Sequence, residues 1–183
     1  MNQHLLLRIR TLSRLARAGD TTAMLNIAEA YRRLAKPEKM LQWFKAAAAR
    51  QDGQAHLEVG YCYLHGIGTQ VDLRRAERHL RAAVSSAHIT ESGREEAMYN
   101  LAVHLIRTHK NMIEAKYLLA RANVDGSYAE AQELALQLRR GRVDAACVCR
   151  RSQPRYVASW ACELHRRRTG QLRASADGAS RRR

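Results

Sequence analysis

Four residues toward the C-terminal end have the types and spacing of a metal site. Cys147-Val148-Cys149, twelve residues, then Cys162-Glu163-Leu164-His165 gives Cys-x-Cys-x12-Cys-x2-His. Thiolates and imidazole are what tetrahedral zinc takes in closed structural sites, and two close pairs with a spacer let one ion tie two turns together. One structural zinc ion on Cys147, Cys149, Cys162 and His165 is therefore expected. Pro154 breaks the spacer, and 155–168 reads as a helix that sets Cys162 and His165, three apart, on one face. Reduced thiols in a solvated tail and a disulfide are the competing readings, and a cytosolic setting disfavours the second.

The same stretch is strongly cationic. The chain of 183 residues holds 32 Lys and Arg against 17 Asp and Glu, a net +15. From Arg139 onward there are 13 Arg, no Lys and three acids (Asp144, Glu163 and Asp177), or +10, so the preceding 138 residues carry only +5. Arg150, Arg151, Arg155, Arg166, Arg167 and Arg168 flank the Cys/His set, and on a folded knob they would face nucleic acid or another acidic surface by releasing its counterions. A solubilising tail is the alternative. Residues 171–183, rich in Ser, Ala, Gly and Arg, contain no core former after Leu172 and are expected to be disordered.

Other catalytic arrangements fail on context. Gly66-Ile67-Gly68 follows a helix and lacks both the Lys-Ser/Thr of a P-loop and the third glycine of a dinucleotide fingerprint, so it reads as a turn. Glu95 and Glu96 are adjacent, hence about 100° apart on a helix, and read as a helix opening. There is no Gly-x-Ser-x-Gly elbow, and the eight His show neither His-x3-His nor His-Glu-x2-His spacing. The chain is read as a non-enzyme.

The elements that would carry these residues are helices. Ala and Leu dominate an apolar share of 46%, with aromatics at 5%, and β-branched residues are scarce. No 18 apolar residues run together, which excludes a spanning helix, and Leu5 to Leu7 is too short for a secretory core. Three segments align on a small anchor: Ala23 with Ile27, Ala28 and Tyr31; Ala55 with Val59, Gly60 and Tyr63; Ala97 with Leu101, Ala102 and Leu105. Those offsets keep one helical face, with small residues where a neighbouring helix must come close. Each is followed by an Ala-rich amphipathic stretch, Glu38 to Arg50, Asp72 to Ser85 and Asn111 to Ala122, which read as second helices opened by Pro37, Asp72 and Asn111. Gly53, Gly93 and Gly126 are expected to end those helices in a left-handed conformation. A fourth first-type helix runs Tyr128 to Arg139. The stripe Leu6, Ile9, Leu12, Leu15 and Ala16 suits an N-terminal cap, although four Arg without an acid in the first 19 residues also fit a mitochondrial presequence.

Ala55, Val59, Gly60, Tyr63, Gly66, Gly68, Asp72, Arg75, Ala76, Ala82 and Ala83 resemble the Sel1-like repeat, a relative of the tetratricopeptide repeat. The first and third segments lack the Gly-x-Gly loop. The resemblance covers roughly residues 15 to 138 and implies an all-α fold, an α-solenoid of about three antiparallel helix pairs. The organisation expected is a capping helix over 1–20, a repeat array over 21–141, a Cys/His-containing basic segment over 142–170 and a tail over 171–183. Such arrays imply a cytoplasmic scaffold or adaptor for another protein, held on the face of the first helices. Three residues past each anchor lie Asn26, Glu58 and Asn100, and one turn beyond Asn100 lies His104; these four are the expected partner-binding row. Cys62, on the second of these helices, reads as a small buried hydrophobe.

Overall fold

The structure, a computed structural model, describes residues 2–123 and 128–140, all within one compact unit. Among them every element is a helix, as the Ala- and Leu-rich composition requires. The N-terminal helix α1 (Asn2–Ala18) is followed by three pairs, α2 (Thr21–Arg33) with α3 (Pro37–Ala48), α4 (Gly53–His65) with α5 (Leu73–Ser85), and α6 (Glu91–Arg107) with α7 (Met112–Arg121), and then by α8 (Ala129–Arg139). Each helix packs on its sequence neighbour, and α4 also touches α6. The first members, α2, α4, α6 and α8, are called A helices here, and α3, α5 and α7 B helices.

Local chemistry sets the boundaries. Asp20, Asp52, Asp72, Thr90 and Asn111 each accept a hydrogen bond from a backbone N–H three residues on, at 2.9 to 3.1 Å, and so cap α2, α4, α5, α6 and α7. Pro37 opens α3, where its missing N–H costs nothing. Because Thr90 is the cap, α6 begins at Glu91; Glu95 and Glu96 therefore lie in its second turn instead of opening it.

The glycines between pairs act differently from the sequence expectation. Gly53 and Gly93 lie in the first turns of α4 and α6, and the left-handed residue after α3 is Gln51, with φ 64°. A Cβ at Gly53 would sit 2.6 Å from Ser86 Oγ and 2.8 Å from the His88 carbonyl, so glycine is needed there for close approach of the connection between α5 and α6. Gly126 lies outside the described residues. The turn reading of Gly66 and Gly68 holds, with φ of 71° and 66°.

The anchors behave as seams. Ala23, Ala55 and Ala97 are at most 2% exposed. Gly60 touches α5 so closely that a Cβ would meet Leu80 Cγ at 2.8 Å. Two core clusters result, one from α1 to α5 and one centred on α6 and α7, and the middle pair contributes to both, through Val59 and Ala76 to the first and Leu57 and Leu80 to the second. Leu5, Ile9, Leu12 and Ala16 pack α1 on the first cluster, while Leu6 and Leu15 of the expected stripe are exposed, so the buried face is turned toward Leu5. No helix among the described residues is long and apolar enough to cross a membrane.

Candidate functional site

The A helices bring polar side chains of successive pairs into contact. Asn26 on α2 is half-buried; its Oδ1 accepts from the Arg8 guanidinium of α1 at 2.9 Å, and its Nδ2 donates to the Thr22 carbonyl at 3.0 Å. Arg32, two turns along α2, lies over the Phe44 ring, pairs with Glu29 at 3.2 Å and donates across to Glu58 on α4. Burial raises the Glu58 carboxyl above its ordinary range, and Arg32 opposes that rise.

Glu96, on α6, faces the same junction. Burial first, then repulsion from Glu58, pushes its carboxyl up to about 7, against the pull of Arg32. Tyr61 on α4 completes the group; burial and the nearby carboxylates of Glu96 and Glu58 keep its phenol protonated, and its ring lies 4.3 Å from that of His65. One guanidinium thus pairs with two carboxyl groups, on α2 and α4, and acts on a third, on α6, through space.

The rest of the expected row lies deeper. Asn100 is 1% exposed and His104 0%, so neither meets the surface. This corrects their expected place beside Asn26 and Glu58, and for His104 the physical reason is the α5 side chain laid against it. His104 Nε2 is 3.0 Å from Glu77 Oε2 on α5; the same oxygen takes Lys110 Nζ at 2.8 Å, and Arg81 holds the other oxygen. Lys110 foremost, with His104 and Arg81, drops the Glu77 carboxyl to about 2. Burial lowers the His104 pKa, so a neutral ring donates from Nε2 and leaves Nδ1 as a buried acceptor with no partner among the described residues. Asn100 Nδ2 is likewise without one. Arg81 also grips Glu114 of α7 with two nitrogens, at 2.5 and 3.1 Å.

Sequence reasoning missed Arg32, Tyr61 and Glu96. Glu96 stands one position before its anchor, outside the row read at three positions after, and only the packing of α4 on α6 relates it to Glu58. Cys62 is 1% exposed, as expected of a small hydrophobe, and burial pushes its thiol up. Among the described residues no three His, Cys, Asp or Glu are placed to hold a metal. Cys147, Cys149, Cys162 and His165, with Arg150, Arg151, Arg155, Arg166, Arg167 and Arg168, lie outside the described residues.

No protein-family model matches the sequence, and neither does any curated protein. Among solved structures the chain is similar to a protective antigen present in uropathogenic Escherichia coli strains, which displays an SLR (Sel1-like repeat) fold. The TM-score is 0.61 at 20% identity, and the match covers 87% of this chain and 32% of that one. The chain therefore spans about a third of that protein's length, and the likeness is one of fold: an α-solenoid of Sel1-like helix pairs.

Proposed function

We propose that this Sel1-like array is a non-enzymatic scaffold or adaptor that binds an extended segment of another protein across α2, α4 and α6. Helical repeats present broad shared faces instead of water-excluded pockets, which suits capture of a chain more than catalysis. The observation that carries the reading is the junction of Arg32, Glu58 and Glu96, where partly buried carboxyl groups outnumber the cation available to them. Asn26 and Glu58 are the members of the expected row that a partner meets directly. His104 acts from below by tying the helix that carries Glu96 to Glu77 of α5.

Peptide-library selection on the full chain tests this. Selected sequences should lose about tenfold or more in affinity, equal to 1.4 kcal/mol, on Glu58→Gln combined with Glu96→Gln. Undiminished binding by the double variant overturns the reading.

For the C-terminal segment a second reading rests on its 13 Arg and its Cys/His spacing: a zinc-stabilised contact for nucleic acid. Its affinity should fall steeply with salt, with a slope of about −0.9 per phosphate neutralised. Elemental analysis of protein purified without chelators should give about one zinc per chain; a content below about 0.2 rejects the metal site.

A further inference from the structure

The B helices differ in charge from the A helices. α3, α5 and α7 carry eight Lys and Arg against three Glu, whereas α2, α4, α6 and α8 carry five Arg against seven Glu. Much of the cationic surplus gathers around one aromatic residue. The Tyr63 ring of α4 has Lys45 Nζ of α3 at 5.1 Å and the Arg75 guanidinium of α5 at 5.5 Å from its centroid. Arg75 donates to the Tyr63 hydroxyl at 3.4 Å, and His79 stacks on the same ring at 6.0 Å. His79 Nδ1 in turn lies 3.0 Å from His56 Nδ1. Arg78 adds a third cation close enough to act on both imidazoles.

Countercharge is thin. Asp72 pairs with Arg75 at 3.3 Å while capping α5, and Asp52, which caps α4, reaches His56 only through space. Lys45 and Arg78 are exposed and form no ion pair among the described residues. The groups respond accordingly. Burial, then His56, Arg78, Lys45 and Arg75, presses the His79 pKa down to about 4. Burial disfavours ionising Tyr63, yet the neighbouring cations of Lys45 and Arg75 outweigh it and lower the phenol's pKa. Two neutral imidazoles, a phenol and three cations converge with about one carboxylate to balance them.

We propose that Lys45, Arg75 and Arg78, with the Tyr63 hydroxyl and the His56–His79 pair, form an anion site that takes a phosphate group. A multiply charged tetrahedral oxyanion offers several acceptors at once, which suits a guanidinium, an ammonium and a phenolic O–H arriving from three helices. The site is separate from the A-helix junction, and stands whether or not a protein segment binds there. A bound phosphate supplies the missing countercharge, so it also makes His79 easier to protonate.

Inorganic phosphate titrated into the full chain, read from the histidine ring signals in NMR, tests this. The expected result is a saturable shift of the His56 and His79 resonances and a rise of about one unit or more in the His79 pKa, a tenfold stronger hold on its proton. Lys45→Ala with Arg78→Ala, both at exposed positions, should weaken binding about tenfold or more, while Arg75→Lys retains most of it. His79→Gln should keep most of the binding at neutral pH and leave the shift of the His56 resonance in place. Acetate at equal ionic strength should leave the resonances in place. Vesicles of phosphatidic acid against phosphatidylcholine separate the sources: vesicle binding that needs Lys45 and Arg78, without an effect of free phosphate, assigns the site to a lipid headgroup. No shift with either probe, an equal shift with acetate, or equal affinity in the Lys45/Arg78 variant would overturn the proposal.

Discussion

The junction between the first and second pairs and the junction between the second and third use the same ingredients in opposite proportions. At the first, Arg32 pairs with Glu29 and Glu58 and reaches Glu96 only through space, and Glu96 is left with a pKa of about 7. At the second, Glu77 is shared by His104, Lys110 and Arg81, and its carboxyl is held at about 2. Excess cation turns a carboxylate into an internal fastener; excess carboxylate leaves a polar surface still in want of charge. The ratio of partners, more than the presence of charge, separates glue from a receptor.

The contrast can be broken most severely at Glu77. Glu77→Ala removes the partner of a fully buried imidazole and of two cations, and should cost about 2 to 4 kcal/mol in chemical denaturation. A loss under about 0.5 kcal/mol would deny the fastener role. Arg32→Ala comes next, at about 1 to 2 kcal/mol near pH 8, because it leaves Glu58 and Glu96 facing one another without a cation. The defect should shrink at pH 5.5, where Glu96 is protonated; a loss that does not vary with pH would contradict the shared-cation picture.

Glu96→Gln sharpens the comparison through its sign. Its folded pKa of about 7 stands above the ordinary 4.5, so the folded state binds the extra proton and the stability it brings is present at low pH and lost as pH rises from about 4.5 through 7. The glutamine variant should therefore match wild type near pH 4.5 and exceed it at pH 8, by about 1 kcal/mol once solvent screening is allowed for. Glu77 behaves oppositely, contributing above its ordinary range and losing that contribution only as pH falls toward 2. Thermal melts across pH distinguish the two curves, and parallel curves would erase the distinction. The smallest effect is expected at Asn100. Because its Nδ2 has no partner to lose, Asn100→Ala should change stability by less than about 1 kcal/mol, and a cost above about 2 kcal/mol would mean the amide holds a neighbour in place.

The fold was legible because its signals are local. Ala23, Ala55 and Ala97 mark a helical face within eight residues, and Asp72 and Asn111 cap the helices that begin beside them. Gly53 and Gly93 were legible as special but not for the right reason, since their neighbours, Ser86, His88 and Gln54, come from other elements. The candidate site suffered from the same limit. A row at three positions past the anchor was real as a spacing, but exposure along it is set by what α5 lays over α6, so His104 proved interior. Glu96 carried no local mark, because its character comes from Glu58 and Arg32, 38 and 64 positions earlier in the chain.

Val59 and Ala76 belong to one core cluster while Leu57 and Leu80, two to four residues away, belong to the other. Amide exchange should then report a gradient, with α4 and α5 the last to open and the outer hairpins fraying ahead of them, as in a row of dominoes pinned at its centre. Force applied at either end would be absorbed by peeling before it reached that hub.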